Sequence, residues 1–496
     1  MAFDRLRRVP KSAVPIREVR LRPAFTGRGD ETVEAEVLVG ASGSRGRAAA
    51  PAGASAGKHE AVHLPPGGSA AAIAKFDASR LVGVDASDPR AVTEALRSID
   101  PTPNYSLVGG ATAYAVSVAA LEAAAAELGR PMHELIGLYG EGGPAIPLPL
   151  GNVLGGGRHA GGGAPDLQEF LVFPENPRTP IDAIRANLRV HALVRRGIEK
   201  RDPTFPAGRG DEGAWAPRMG SLEALELVSE AAAAASDELG VRIGLGIDAA
   251  ASTLWSPSEG VYVYRREGRR LDPQAQASFL EELADRYGLR YLEDPLHEDD
   301  FDGFAEMTRW ARARGVLLVA DDLVVTNASR LERAAAVGAA NGAILKVNQA
   351  GSLGEALSFA AACRARGYAI VASHRSGDTW DPHLAHVAVG TGALMMKSGV
   401  VGGERIAKLM ELLRIHESNP GIRMSALGRR GAPGRYALLG RKIILEGRPR
   451  EVRRDDRGIG GQAAAAGGPG VDQGAGRHRH KDRHDRENQV HGAVHS

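Results

Sequence analysis

The sequence predicts an α/β protein, with a closed βα barrel over residues 141–420 capped by a smaller N-terminal α+β domain over residues 1–140. Three observations carry the prediction. Between Val241 and Lys397 six short apolar runs each end on a charged or polar residue. They are VRIGLGID at Asp248, LRYLED at Glu293, VLLVADD at Asp321, GAILK at Lys346, YAIVASHRS at His374-Arg375-Ser376 and ALMMK at Lys397. Amphipathic, Ala-rich stretches of helical character separate most of them, the alternation that a parallel sheet covered on both faces requires. The terminal polar residues recur 23 to 45 positions apart, near the roughly 30 residues per unit of an eight-unit barrel of about 250 residues. Strand ends of such a barrel converge on one mouth, where active sites sit. Three acids, two lysines, an arginine and a histidine are expected to meet there.

Bulk properties narrow the classes. A chain of 496 residues is too long for one core. A net charge of +2 and 5% aromatics point to no nucleic-acid or membrane partner, and no run of about 18 apolar residues predicts a membrane span. The single Cys363 excludes a disulfide framework and suits a reducing cytosol. Within SLGEALSFAAACRARG it reads as a small buried apolar residue. The basic start MAFDRLRRVPKS has no apolar stretch behind it, which argues against a secretory signal. A cytoplasmic protein is expected.

Along the chain, IREVRLRPAF and ETVEAEVLVG read as strands, the second alternating as a half-exposed antiparallel strand does. Gly53 and Gly57 flank Ala54-Ser55-Ala56, a hairpin turn or a mobile lid that brings the Ser55 hydroxyl to a ligand. ATAYAVSVAALEAAAAELG is a helix ending at Gly129. EGGPAIPLPLGN reads as a Pro-rich link, and a Gly-rich loop holding Arg158 and His159 follows it. DLQEFLVFP is a strand bearing Gln168 and Glu169, and the loop AGRGDEGAWAP carries Glu212. Asp272, Pro273 and Gly288 cap one barrel helix, Gly315 ends the next, and Asn327 caps another. GGERIAKLMELLRIHES is the last. Residues 421–496 are basic and then of low complexity, too polar to repay ordering, so the end is predicted to be a largely disordered, solvated tail.

Asp248, Glu293 and Asp321 offer three hard oxygen donors with no Cys or His among those strand ends, which implies Mg2+. Structural ion pairs to Lys346 and Lys397 are the bland alternative. A lysine facing a metal and an arginine is expected to have its pKa lowered toward that of a base. Arg375 and Ser376 supply donors for a phosphate. Such a site suits proton abstraction beside a carboxylate on a phosphorylated substrate.

The strings GASAGKHEA, NVLGGGRHAGG, DLQEF, GDEGAWAP, LEDPLHEDD, ADDLVVTN, LKVNQAGSL and ASHRSGDT resemble the signature loops of the enolase family, in the same order, over residues 16–417. A Lys or His base working with Mg2+ is the pairing for which that superfamily is known, and the resemblance implies it here. The resemblance implies a two-domain protein with a TIM-like barrel, reversible dehydration of 2-phosphoglycerate to phosphoenolpyruvate, and two Mg2+ per active site. Lys346 would be the base at C2 and Glu212 the acid for the C3 hydroxyl, with His159 and Glu169 counted among the catalytic residues. Asp248, Glu293 and Asp321 would hold the first Mg2+, and Ser55 would help hold the second. Gln168, His374, Arg375, Ser376 and Lys397 would bind substrate, with Arg375 and Ser376 on the phosphate and Lys397 on the carboxylate side. A homodimer or an octamer is implied. The chain departs from the family at AGASAG for the usual SGASTG, TGRGDETVE for DSRGNPTVE, Asp378 for Glu, and VVGG in place of an Arg-rich loop. Another superfamily enzyme acting on a different acid, or a non-catalytic binding protein of the same fold, are the alternatives.

Overall fold

The computed structural model describes residues 13–54, 57–139 and 143–428. The N-terminal part opens with β1 (Ile16–Phe25), β2 (Glu31–Val39) and β3 (Ser44–Ala49), an antiparallel sheet in that order. The third strand, SRGRAA, carries no β-branched or aromatic residue and gave no strand signal. Helices α1 (Gly68–Lys75), α2 (Pro89–Ile99), α3 (Gly110–Glu127) and α4 (Met132–Tyr139) follow. Apart from Glu122, Ala126 and Glu127, all of α3 is buried. Its run of alanines lets it lie close on the sheet. Gly46 of β3 marks the closest approach, since a Cβ there would sit 2.1 Å from the Ala119 carbonyl oxygen.

The barrel begins with β4 (Leu148–Gly155) and β5 (Glu169–Pro174), then α5 (Pro180–Arg201), α6 (Ser221–Leu239) and β6 (Ile243–Asp248). A small antiparallel meander, β7 (Trp255–Ser256), β8 (Val261–Tyr264) and β9 (Arg269–Leu271), interrupts the alternation. The rest alternates more regularly: α7 (Pro273–Tyr287), β10 (Tyr291–Glu293), α8 (Phe301–Arg314), β11 (Leu317–Ala320), α9 (Ala328–Val337), β12 (Gly342–Leu345). After the single turn α10 (Val347–Ala350) come α11 (Leu353–Ala365), β13 (Ala369–Ser373), α12 (His383–Gly390), β14 (Met395–Lys397) and α13 (Gly403–Ser418). The barrel closes in the order β10-β11-β12-β13-β14-β4-β5-β6. The expected caps are present: Asp272 accepts from the Ala275 amide, Asn327 accepts from the Arg330 amide, and Gly288 and Gly315 end their helices at positive φ.

Three sequence expectations need correction. The Pro-rich link contains the start of β4, hidden because Pro147 and Pro149 argue against a strand. The sheet is not parallel throughout, because β5 runs antiparallel to both β4 and β6. Residues 421–428, taken from sequence as the start of the tail, are bonded to the barrel. Ile146 and Ser425 exchange backbone bonds with the chain across the barrel's base, Ile146 N donating to the Arg423 carbonyl at 2.9 Å and Ser425 N to the Ile146 carbonyl at 2.7 Å. Disorder beyond residue 428, the region of His478, His480 and His484, lies outside the described residues.

Side chains alternate across a strand with a period of two, and inside the barrel this decides everything above it. Leu171 and Phe173, Tyr291, Leu317 and Val319, Ile344, Val371 and Met395 fill the interior. Gly244 and Gly246 of β6 leave room for Phe173 and Tyr291, whose Cζ and Cβ would lie 2.6 and 2.8 Å from a Cβ at those positions. One more step of two residues toward the mouth reaches Glu169, Asp248, Glu293, Asp321, Lys346, Ser373 and Lys397. The polar layer is the continuation of the apolar one.

Gly46→Val is expected to destabilise the fold by about 1–3 kcal/mol through overpacking against α3, read as a lower urea midpoint. Gly208→Ala, with nothing within 4 Å of its Cβ, should stay within about 0.5 kcal/mol of the parent.

Candidate active site

Because β5 is antiparallel to its neighbours, its first residue and not its last lies at the mouth. Glu169 pairs in register with Asp248 at the end of β6, and the Gln168 amide donates to the Asp248 carbonyl at 3.2 Å. Lys397, at the end of β14, projects into this group. Its Nζ lies 2.9 Å from Asp248 Oδ2, 2.9 Å from both Glu293 oxygens and 3.2 Å from Glu169 Oε1. Asp248 and Glu293 meet through this ammonium. Lys346 Nζ bonds Asp321 Oδ2, and Gln349 Nε2 donates to Asp321 Oδ1 at 3.2 Å. Asp294, held at φ 41°, accepts the backbone amides of Asp321 and Asp322 at 2.9 and 2.8 Å and so fixes that turn.

A second cluster faces the first. His159 Nε2 lies 3.8 Å from Glu169 and 3.7 Å from Glu212 Oε1, and His374 Nε2 lies 3.4 Å from the same Glu212 oxygen. Asn152 Nδ2 donates to Glu212 Oε2 at 3.2 Å. On a third side Arg375 Nη1 pairs with Glu60 Oε2 at 2.9 Å, and Arg28 Nη1 donates to Ser376 Oγ at 2.8 Å.

One cavity is lined by His159, Gln168, Glu169, Glu212, Asp248, Asp321, Lys346, His374, Arg375, Ser376 and Lys397 together. Glu293 lies beneath it, fully buried. Ser55 falls outside the described residues, although its neighbours Gly53 and Ala54 line the same cavity. The sequence did not single out Glu60, Asn152, Asp294, Asp322, Arg28 or Arg405. Asp294 and Asp322 had a signal, the doubled acids of LEDP and ADD. Glu60 had none, since its partner is 315 positions away.

Charge states follow from crowding. Glu293 is pushed up to about 8, by burial first and then by Asp248, with Lys397 opposing. Burial, then Glu212, raises Glu169 well above the carboxylate range, and two such neighbouring carboxyls hold one proton between them. At Lys346 burial works to lower the pKa, but with no cation bound the neighbouring carboxylates, Asp321 first and Glu293 after it, bring the net shift upward. Without a cation to take Asp321, Lys346 is held as an ammonium.

The donors suit a hard divalent cation. Asp248, Glu293, Asp321, Asp294 and Asp322 present only oxygen. Carboxyl oxygens of Asp294, Asp321 and Asp322 lie within 4.8 Å of one another, as do donor atoms of His159, Glu169 and Glu212. The raised pKa of Glu293 reflects its burial first and then the charge of Asp248 and Asp321, which Lys397 and Lys346 oppose. The residues fit the metal.

Fold and site define a two-domain barrel enzyme with an acid-rich, lysine-bearing mouth. Comparison makes the family explicit. Residues 16–136 match the family model "Enolase, N-terminal domain" and residues 144–424 match "Enolase, C-terminal TIM barrel domain". The enolase of Pyrobaculum aerophilum is 46% identical over 407 residues, covering 81% of this chain and 96% of that protein. The enolase of Methanothermobacter thermautotrophicus is 43% identical over 415 residues, covering 83% of this chain and 99% of that protein. That of Natronomonas pharaonis is 45% identical over 401 residues, 81% and 98% of the two chains. The chain belongs to the enolase family, the hydro-lyases also called phosphopyruvate hydratases.

The crowding gives a sign for stability against pH. A folded Glu293 keeps its proton to about pH 8, whereas an unfolded one loses it near pH 4.3. Between these values the folded state binds more protons, so stability falls as pH rises. In EDTA-treated protein, Glu293→Gln should therefore raise the melting temperature relative to the parent, by more at pH 8 than at pH 5. A variant less stable than the parent at pH 8 would contradict the assignment.

Proposed function

We infer that the protein interconverts 2-phosphoglycerate and phosphoenolpyruvate in a Mg2+-dependent reaction, the glycolytic step of its family, with the residues of this cavity in separate roles. The observation that carries the reading is the approach of Lys346 and Glu212 to one cavity from different segments, Lys346 among the acids and Glu212 among the imidazoles. That separation suits a reaction in which a proton leaves one carbon and a hydroxyl leaves the next.

Lys346 takes the C2 proton, and Glu212 protonates the departing C3 hydroxyl, with His159 and Glu169 completing the acid side. Arg375 and Ser376 hold the phosphate through guanidinium and hydroxyl donors. Lys397 positions the carboxylate end, and Gln168 and His374 complete the substrate pocket. Asp248, Glu293 and Asp321 would hold one Mg2+ and Ser55 would help hold a second, and these cations would supply positive charge near the substrate carboxylate. A cation held by Asp321 would draw that carboxylate away from the Lys346 ammonium, which reconciles a raised lysine pKa with a role as base.

A homodimer is the assembly we assign. Phe25 and Trp380 are 67% and 68% exposed. Their neighbourhoods are tied together by the Gly27 amide donating to the Asp378 carbonyl at 2.7 Å, so the two rings belong to one region of surface that a second copy would cover. Light scattering of the purified chain should give twice the monomer mass, and an octamer or a monomer would displace this assignment. The compartment we assign is the cytoplasm, on the strength of the glycolytic reaction and the buried, unpaired Cys363. Among the described residues no single helix is long and apolar enough to cross a membrane. A secondary cell-surface location would rest on the basic tail alone.

The test is the absorbance assay for phosphoenolpyruvate formation. EDTA should stop the reaction and Mg2+ restore it; full activity without metal would remove the carboxylate assignments. Lys346→Ala should abolish exchange of the C2 proton with solvent. Glu212→Gln should cut dehydration by at least a hundredfold, on the scale of general acid catalysis, while exchange continues.

A further inference from the structure

Arg405 is wholly buried in α13, the helix that follows the last barrel strand. Its guanidinium reaches back across the mouth. Nη1 lies 2.7 Å from His374 Nδ1 and donates to the Arg375 carbonyl at 2.8 Å. Nη2 donates to the Ser376 carbonyl at 2.6 Å and to the Asp211 carbonyl at 3.1 Å. Carboxylates of Asp378 and Glu404, at 3.5 and 3.4 Å, balance its charge. One buried cation thereby ties the HRS segment to the loop that carries Glu212.

The contact with His374 has a consequence for protons. Arginine has only N–H donors, so the atom it meets must present a lone pair. Nδ1 of His374 is then unprotonated, and a neutral ring carries its single proton on Nε2. Burial, with Arg405 adding to it, pushes His374 down to about 4, against the pull of Glu212, so the ring is neutral near pH 7. Its Nε2 has no hydrogen-bond partner among the described residues and faces Glu212 Oε1 at 3.4 Å. The Nε2–H is thereby aimed at Oε1, while Oε2 accepts from Asn152 Nδ2 at 3.2 Å.

We propose that Arg405 is a positioning residue for the dehydration half of the reaction, acting through His374: it fixes the Nε2–H tautomer, so a donor and not a lone pair faces Glu212 Oε1. Without Arg405 the ring is free to place its proton on Nδ1. Its Nε2 lone pair would then compete for the Glu212 proton. The inference rests on Glu212 being the acid.

The experiment uses the full-length chain with Mg2+ and reads dehydration and C2-proton exchange side by side. Arg405→Met should lower kcat for dehydration at least tenfold and leave exchange within threefold. A merely structural role would lower both together. In a His374→Gln background the amide places a donor near the Nε2 position whatever residue stands at 405, so Arg405→Met should there cost less than threefold further. An equal loss in both backgrounds overturns the proposal. Should Arg405→Met fail to fold, nitrogen NMR of histidine-labelled parent protein decides, with the His374 signals identified by their loss in His374→Gln. A protonated Nε2 with a bare Nδ1 supports the proposal, and the opposite tautomer or a doubly protonated ring ends it. If Glu212→Gln retained full dehydration, the acid assignment would fail instead, and that outcome is separate from any result at Arg405.

Discussion

The structure depends on keeping a crowd of carboxylates at the mouth of a closed barrel. Asp248, Glu293, Asp321, Asp294 and Glu169 are all buried, and desolvating a charge costs several kcal/mol unless a partner compensates it. Lys397 is the main partner, touching three of these acids at once, and Lys346 serves Asp321. Two ammonium groups cannot neutralise so many carboxyls, and the residue of that imbalance is visible as protons retained on Glu293 and shared between Glu169 and Glu212. A site arranged only for stability would have replaced some acids by apolar groups of similar size, a change that is often neutral or favourable. The excess of negative charge is intelligible as a standing demand for a divalent cation.

The barrel serves this demand through its periodicity. Because inward positions alternate along each strand, the core residues Leu171, Tyr291, Val319, Ile344, Val371 and Met395 each have a polar neighbour two positions nearer the mouth. Large rings fill the interior below, and glycines on β6 make space for them. The polar layer therefore stands on a packed, rigid floor, which is what holding side chains to catalytic tolerance requires. The antiparallel β5 adds what a fully parallel barrel could not. It brings the start of a strand to the mouth, and with it Glu169 beside Asp248.

These features explain what was legible in the sequence. Asp248, Glu293, Asp321, Lys346 and Lys397 end apolar runs and could be placed from pattern alone, as could the capped helices that follow Asp272 and Asn327. Glu169 opens β5 and Gln168 precedes it; pattern placed both on a strand, and only the resemblance of DLQEF to the family's loop gave them a role. Strand β4 was hidden by Pro147 and Pro149, whose missing N–H groups disfavour a sheet. Contacts that join distant segments left no trace: Glu60 on Arg375, Arg28 on Ser376, Arg405 on His374. The protonation of Lys346 is likewise beyond the reach of pattern. Its charge depends on whether Asp321 bonds it or is engaged elsewhere, and that is a matter of distance, not of residue type.

The two clusters in the cavity are also two electrostatic environments. Around Lys397 and Lys346, opposite charges alternate at contact distance, and a proton there is held or released according to which carboxylate is engaged. Around Glu212, the neighbours are imidazoles and an amide, and its hydrogen-bond partners are set by tautomer and orientation instead of by net charge. A reaction that breaks a C–H bond and a C–O bond on adjacent carbons asks for a base and an acid that do not neutralise one another. Separating them into an ionic half and an imidazole half, with Glu169 touching both through Lys397 and His159, lets one cavity hold the two proton inventories apart. The fold contributes that separation by delivering Lys346 from a strand end and Glu212 from the loop between α5 and α6, while Arg405 reaches from α13 to bind the second half in place.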